Sequence, residues 1–579
     1  MKNFLVGLFS GFLLAAVAAV IVVFVLVRVA QSFGEKNVKV ADGSTLVLKL
    51  EGPIPEKLPT ELPVPFLQDQ APMSMYQVWE MFRKAALDPK IKAILIEPRG
   101  LGVGWGRLEE IRQEMLDFKK SGKPLIAFLR NPGRNEFYLA TAADRIYMTP
   151  EDTLDLKGLR VEAMFFKNTL DKIGARIDVI HAGKYKDAGD MFTQTSMTPE
   201  TREVLNNVLD QFYGDLVTNI ATGRKKLPDE VKRLIDQGPF MGSQALAAGL
   251  VDKLAFEDEV GSDVAKQLNQ KSLTKLSHKA YLNVSASSVG ASGGPRIALI
   301  IGEGEITRGS GTSTFGDQAG IVSGPFIKQL KDAGDDSTIK GAIIRVDSPG
   351  GDGVASDDIL HEAKNLSAKK PVVISMGDLA ASGGYFISMT GDPIVAYPNT
   401  LTGSIGVIFA RLNLRGLYDK FGVDKELLTR GKNADLDSDY AQLTEDEKTK
   451  LRGQIDDFYK MFVSRVAAGR KRPFGQIEEL AQGRVWLGTQ AKQNGLVDEL
   501  GGLDKAIELV KKRAKIGANE KITLVTFPPK RTIFDLLASR SEDAPSIEVK
   551  IQKLLGNVPL TALRQGGFLK LMPYTITVH

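Results

Sequence analysis

The sequence predicts an α/β protein in which two copies of one parallel-sheet unit stand in tandem behind an N-terminal membrane-spanning helix. Three observations carry this. Residues 4–27 include no charged side chain. The rest of the chain repeats itself at an offset of about 247 residues. Each copy alternates short apolar strands with segments of helical periodicity, the rhythm of βαβ units.

The first element is the apolar run, in which Ser10 is the only polar side chain. As a helix it would measure about 36 Å, enough to cross a bilayer core with some tilt. A secretory signal has a shorter apolar region, about 7–15 residues, followed by a small-residue cleavage motif. Here Arg28 follows directly and no A-x-A site ends the run. Residues 1–30 are therefore expected to be an uncleaved anchor. Lys2 precedes the span while Arg28, Lys36 and Lys39 follow it, so flanking charge does not by itself place the rest outside the cell. No later segment is apolar enough to span, and the remainder is expected on one side.

The repeat is read from matches that keep their order. DPKIKAILIEPRG (88–100) corresponds to DSTIKGAIIRVDSPGG (336–351), and SGKPL (121–125) to AKKPV (368–372). Tyr138 corresponds to Tyr385, and GKYKD (183–187) to GKNAD (431–435). ATGRK (221–225) pairs with AAGRK (467–471), and GLVDK (249–253) with GLVDE (495–499). The expected organisation is a first unit over 38–283, a Ser/Gly-rich flexible linker over 284–295, a second unit over 296–520 and a tail over 521–579. IKAILIE and IKGAIIRVD read as strands, followed by helices in LEEIRQEMLDFKK and SDDILHEAKNL. LIAFL and VVISM are the next strands. A further helix follows each, then a strand near Arg145–Tyr147 or Ile394–Ala396. The tail has a possible helix over 547–555 and no assigned role.

Composition narrows the chemistry. There are no cysteines, which excludes disulfides, thiolate metal sites and a cysteine nucleophile. The net charge of +5, from 75 basic and 70 acidic residues, makes no case for nucleic acid. The basic clusters at 119–120 and 224–226 read as solvated faces. Four histidines, His181, His278, His361 and His579, are the candidates for any imidazole mechanism.

In the second unit, VVISM runs into GDLAASGGYFISM. A strand ending in Gly, Ala and Ser before a helix leaves Ser382 Oγ open to a carbonyl, beside free N–H groups. SPGG (348–351) ends a neighbouring strand, so Gly351 and Gly383 are candidates for an oxyanion hole. The structural alternative makes Ser382 a helix cap and the glycines tight turns. A base is needed. His361 lies on a helix and is expected at the surface, while His181, in the strand-like ARIDVIHAG, is expected in the core. Lysine serves if burial lowers its pKa. The repeat selects one: Ser382 corresponds to Asn135 and SPGG to GLGV, while Lys186 corresponds to Ala434. Nucleophile and base positions are thus divided between the two units. Drift between duplicated units is the alternative account.

ASGGY around Ser382, SPGG upstream, TGSIGV (402–407) and YKDAG (185–189) together resemble the long form of the signal peptide peptidase A family, peptidase family S49, over roughly residues 40 to 515. The resemblance implies tandem ClpP/crotonase-like domains, with Ser382 as nucleophile, Lys186 as general base and Ser404 orienting the lysine. Lys184 is the competitor for Lys186, but its counterpart Lys432 is present in the other unit. It also implies a tetrameric ring at the inner membrane, facing the periplasm or outside, that degrades cleaved signal peptides and other short apolar peptides. No cofactor and no metal are expected. Two other readings use the same fold: an acyl-CoA-processing crotonase-like enzyme, which would want a carboxylate at Ser382, and an inactive membrane scaffold.

Overall fold

The structure, a computed structural model, describes residues 38–57, 72–309, 320–527 and 567–572. The anchor expected over 1–30 and the tail helix expected over 547–555 lie outside the described residues. Among the described residues no helix is long and apolar enough to cross a membrane.

Two sheets share one order of six parallel strands, and the second adds Leu401–Gly403 beside Val372–Ala381 with Val485–Leu487 antiparallel to it. In the first unit it runs Lys253–Leu254, Arg145–Met148, Leu125–Leu129, Ile91–Arg99, Ser44–Glu51, Lys275–Ser277. In the second it runs Glu499–Leu500, Ile394–Ala396, Val372–Ala381, Ile339–Ser348, Arg296–Glu303, Thr523–Phe527. The central strands are near-continuous apolar runs because helices cover both faces. Ile94, Leu95 and Ile96 are all buried, as are their counterparts Ala342, Ile343 and Ile344. The second sheet takes Thr523–Phe527 as its edge, so the second unit extends beyond residue 520. Residues 284–295 are a series of turns, with Ser288 N–H donating to Ser285 and Gly293 N–H to Ile522.

The repeated motifs away from Ser382 have structural work to do. Helices Pro199–Arg224 and Glu445–Arg470 each have 26 residues, begin at a threonine cap (Thr198, Thr444) and end at a left-handed lysine (Lys225, Lys471). At the C-terminus of each, an arginine braces the GLVD turn. Arg224 reaches Gly249 O at 3.0 Å and Asp252 at 2.6 Å, and Arg470 reaches Gly495 O at 3.0 Å and Asp498 at 2.6 Å. The cluster at 224–226 is therefore not simply a solvated face: the Arg224 side chain is only 10% exposed, because its guanidinium fork is occupied by the carboxylate.

Two features join the units. Strand Arg176–Ala182 of the first pairs antiparallel with Val407–Asn413 of the second, Ala182 opposite Val407 and Arg176 opposite Asn413. The second is a buried ionic network. Arg345 lies between Glu56 and Glu110 of the first unit, at 2.7 and 2.5 Å, and donates to Ser375 Oγ at 2.9 Å. Arg107 answers from the other side, contacting Asp347, and Asp378 at 2.7 Å. Asp378 also accepts from Gly104 N at 3.0 Å and Arg107 N at 2.6 Å. It thereby caps the helix Trp105–Lys119, whose own N-cap is a glycine without a side chain to do so.

Removing one partner from such a network strands the others. Arg345→Met, which leaves Glu56 and Glu110 without their cation, is expected to cost about 3–5 kcal/mol in urea unfolding. Lys328→Ala, which removes an exposed pair with Asp332, should cost no more than about 0.5 kcal/mol.

Candidate active site

The site forms where the inter-unit ladder ends. Val407 follows TGSIG, and Ala182 precedes GKYKD, so their pairing brings the two motifs together from opposite halves of the chain. Lys186 Nζ lies 2.9 Å from Ser382 Oγ, 2.9 Å from Ser404 Oγ and 3.0 Å from Ser404 O. Lys186, Ser382 and Ser404 are all fully buried.

Ser382 sits between the end of strand Val372–Ala381 and the short helix Gly383–Ile387. Its φ of 53° and ψ of −113° belong to a region ordinarily left to glycine, and a non-glycine residue held there costs of order 1–3 kcal/mol. The strain is held in place by Ser382 N donating to Gly403 O at 2.8 Å and Phe386 N to Ser382 O at 2.8 Å. The side chain makes no capping bond to its helix, so a purely capping role for Ser382 is excluded. Gly383 is required by packing: a Cβ there would stand 2.9 Å from Ser356 Oγ and 3.1 Å from Gly351 N. The same proximity puts Gly351 beside Gly383, the residue after Ser382.

Lys186 is threaded between two glycines. A Cβ on Gly406 would come within 3.0 Å of Lys186 Cδ, and one on Gly483 within 2.6 Å of Lys186 Cβ. The segment carrying Gly483 grips both sides of the site: Gln482 O accepts from Tyr185 N at 2.8 Å, and Arg484 O accepts from Ser404 N at 2.7 Å. Arg484 also stacks over Tyr185 and pairs with Glu203 at 2.8 Å. Sequence reasoning missed this clamp, although AQGRVWLG (481–488) has a visible counterpart in DQGPFMG (236–242).

Burial pushes the Lys186 amine well below its ordinary pKa, opposed by the adjacent Asp187. Burial also raises the Asp187 carboxyl to about 7, while a hydrogen bond from the Thr201 hydroxyl pulls it back down. Burial alone does not mark a base. Lys84 is equally buried and also lowered, but its Nζ is spent on the carbonyls of Tyr281 and Val284, at 3.2 and 2.8 Å. Lys186 is the buried amine that faces hydroxyls.

The remaining candidates are elsewhere. Lys184 is exposed, with its Nζ over the Tyr185 ring. His361 is exposed on the helix Gly353–Lys369, as expected. His181 corrects the sequence reading. It is exposed rather than in the core: Arg176–Ala182 is the edge strand of its sheet, and the His181 ring lies 3.1 Å from Gly183 O. Among the described residues no cluster could hold a metal ion.

Comparison with known proteins also finds two halves. The profile of peptidase family S49 matches twice, over residues 117–271 and 364–517. The chain is 36% identical to the chloroplastic serine protease SPPA of Arabidopsis thaliana, over 90% of this chain and 77% of that protein. It is 32% identical to Protease 4 of Salmonella typhi, over 76% and 72%, and 31% identical to Protease 4 of Haemophilus influenzae, over 75% and 72%. A ClpP1 mutant from Listeria monocytogenes is similar over 36% of this chain and 94% of its own at 14% identity, with a TM-score of 0.22, too low to carry an argument.

The depressed amine has a stability consequence. Between its folded pKa and the ordinary value near 10.5, the unfolded chain binds the extra proton, so stability rises with pH across that window. Lys186→Met should therefore stabilise the protein at neutral pH, by something within the about 1–4 kcal/mol seen when buried ionic groups give way to apolar ones. Melting curves from pH 7 to 10.5 should show the gain shrinking. A gain that grows with pH would mean the amine is charged in the folded protein.

Proposed function

The chain belongs to peptidase family S49 and is a serine-type peptidase, and from that premise we propose that it cleaves peptides with a Ser382–Lys186 dyad assembled from its two halves. The observation that carries this reading is the 2.9 Å contact between Lys186 Nζ and Ser382 Oγ, with both groups out of reach of solvent.

The steps follow from the contacts. A neutral amine has two hydrogens and one lone pair. Ser404 O and Oγ take the hydrogens, which leaves the lone pair for the Ser382 hydroxyl. As Ser382 Oγ attacks the scissile carbonyl, its proton moves to Lys186 Nζ. The new ammonium has all three hydrogens directed at Ser404 O, Ser404 Oγ and the ester oxygen, so no donor is left over. The backbone N–H groups of Gly351 and Gly383 receive the developing oxyanion. Lys186 then gives its proton to the leaving amine, and water activated by the same amine hydrolyses the acyl-enzyme.

The finer reading places this chemistry at a membrane. Residues 1–30 anchor the chain, the two units lie on the outer or periplasmic side, and four copies form a ring that degrades cleaved signal peptides and other short apolar peptides. The uncharged run at 4–27 supports the anchor, and the S49 resemblance supports the ring and the substrate class.

A fluorophosphonate probe should label wild type at Ser382 and leave Ser382→Ala unlabelled. Lys186→Ala and Lys186→Arg should each reduce kcat by about 10³-fold or more, since guanidinium cannot give up its proton. Lys184→Ala should retain most of the rate. The wild-type rate should rise with pH through the depressed Lys186 pKa and then level off. His181→Ala tests the alternative base: loss of activity in a folded His181→Ala protein, with Lys186→Ala still active, would overturn the dyad.

A further inference from the structure

The residue that follows the amine is itself a buried acid. Asp187 is only 7% exposed. Its Oδ2 accepts from the Thr201 hydroxyl, in the first turn of the helix Pro199–Arg224, and its Oδ1 has no hydrogen-bond partner among the described residues. A buried carboxylate left half-satisfied is costly unless a positive charge compensates it. Among the charged groups around Asp187, Lys186 is the cation, while Asp190, which faces His181, is a second acid. Lys184 has its amine over the Tyr185 ring, and Glu203 on the same helix is paired with Arg484. The two copies differ at the helix turn that Asp187 meets. In the second unit Glu447 closes a capping box with Thr444, whose N donates to it at 2.8 Å, while Glu447 N donates to Thr444 Oγ1 at 3.3 Å. The first unit has Thr201 at that position, three residues after its own cap, with Thr201 N donating to Thr198 Oγ1 at 3.1 Å. The aspartate occurs in both copies, as Asp187 and Asp435. An acid at 201 would set two carboxylates side by side and push one of them to hold a proton. A hydroxyl there donates a hydrogen bond instead and favours the charge of Asp187. The exchange falls in the copy that carries the lysine.

We propose that Asp187 is a positioning residue acting through the base: its carboxylate, kept ionised by Thr201, stabilises the Lys186 ammonium that forms as Ser382 attacks, and so sets the pH range in which the amine works. The inference rests on the Ser382–Lys186 reading and extends it to what tunes the base. The proton balance stays that of the dyad. The proton leaves Ser382 Oγ, resides on Lys186 Nζ and passes to the leaving amine, and in the active form Asp187 keeps its charge throughout. Burial by itself makes the amine a weak base, because the ammonium is penalised, and an opposite charge alongside returns part of that basicity. The effects on Lys186 run this way, with burial lowering the amine and Asp187 opposing it. Because the Asp187 carboxyl is itself raised by burial to about 7, the two groups titrate as a pair.

The test follows the rate of fluorophosphonate labelling at Ser382, and of hydrolysis of a short apolar peptide, against pH in the full chain. Without the carboxylate the ammonium is less favoured. Asp187→Asn should therefore move the acid limb of the profile to lower pH and reach a lower plateau, because a less basic amine is a poorer general base. Taken relative to its own plateau, its rate at a pH low on the wild-type limb should be about tenfold higher than that of wild type. Thr201→Val, which leaves Asp187 in place but removes its donor, should move the limb in the same direction by less, and Thr201→Ser should restore the wild-type profile. An acid limb that stays in place in a folded Asp187→Asn chain, whatever happens to the plateau, makes Asp187 a structural tie only and overturns the inference. A limb that moves to higher pH overturns it too. If circular dichroism shows Asp187→Asn unfolded, the comparison of Thr201→Val with Thr201→Ser decides by the same criterion. The peptidase reading fails separately: a wild type that takes no label at any pH, or a Lys186→Ala chain that labels with the wild-type profile, overturns the dyad itself.

Discussion

The site between the two units is arranged around one buried amine. Lys186 Nζ has three oxygen neighbours and is buried. In bulk water a lysine is charged at neutral pH and has no lone pair to offer, whereas burial penalises that charge and makes the lone pair available. The arrangement depends on fixed neighbours. Gly406 and Gly483 pack against Lys186 where a Cβ on either would crowd it, and Ser404 O and Oγ meet the amine beside Ser382. A wider channel would admit water, and the charge would return.

The amine comes from one unit and the hydroxyl from the other, so the junction carries the burden that a single domain core carries elsewhere. It is built twice over. The ladder between Arg176–Ala182 and Val407–Asn413 sets the distance along the strands. The Arg345 and Arg107 networks fix the two sheets against each other, each arginine reaching acids of the opposite unit. Ionic contacts of this kind are costly to bury and contribute little net stability, but each is satisfied in one relative placement only. Asp378 shows the same logic at a helix end: the cap for Trp105–Lys119 comes from the other unit, so the helix is complete only when the units are docked.

The two copies divide their residues by purpose. Arg224 with Asp252 and Arg470 with Asp498 repeat nearly atom for atom, because each brace serves its own unit. At the site the copies differ. Asn135, at the nucleophile position of the first unit, donates to Leu101 O at 3.2 Å and has become a structural side chain. Ala434, which corresponds to Lys186 in the second, lies in an exposed stretch of turns. Ser382 and Ser404 also both hold positive φ.

The sequence by itself determined the parts whose cause is local or repeated. Strand and helix periodicity gave both sheets, and the 247-residue offset, read against the S49 resemblance, singled out Ser382, Lys186 and Ser404 before any coordinates. It also misread two side chains. His181 looked like a core residue because its strand is apolar, and only the sheet order makes that strand an edge. Arg224 looked solvated until its partner, Asp252, folded onto it. Tertiary structure alone decided what depends on contacts far apart in the chain. The closing of Gln482–Arg484 on Lys186, the Asp378 cap and the pairing of Gly567–Leu571 with Gly350–Asp352 are contacts between segments far apart in the chain. The reason is physical: periodicity reports which face of an element is buried, but not which distant residue buries it. Lys84 and Lys186 are both buried lysines, and nothing in composition tells them apart. One meets carbonyls and the other meets hydroxyls, and that difference is made by the docking of two units.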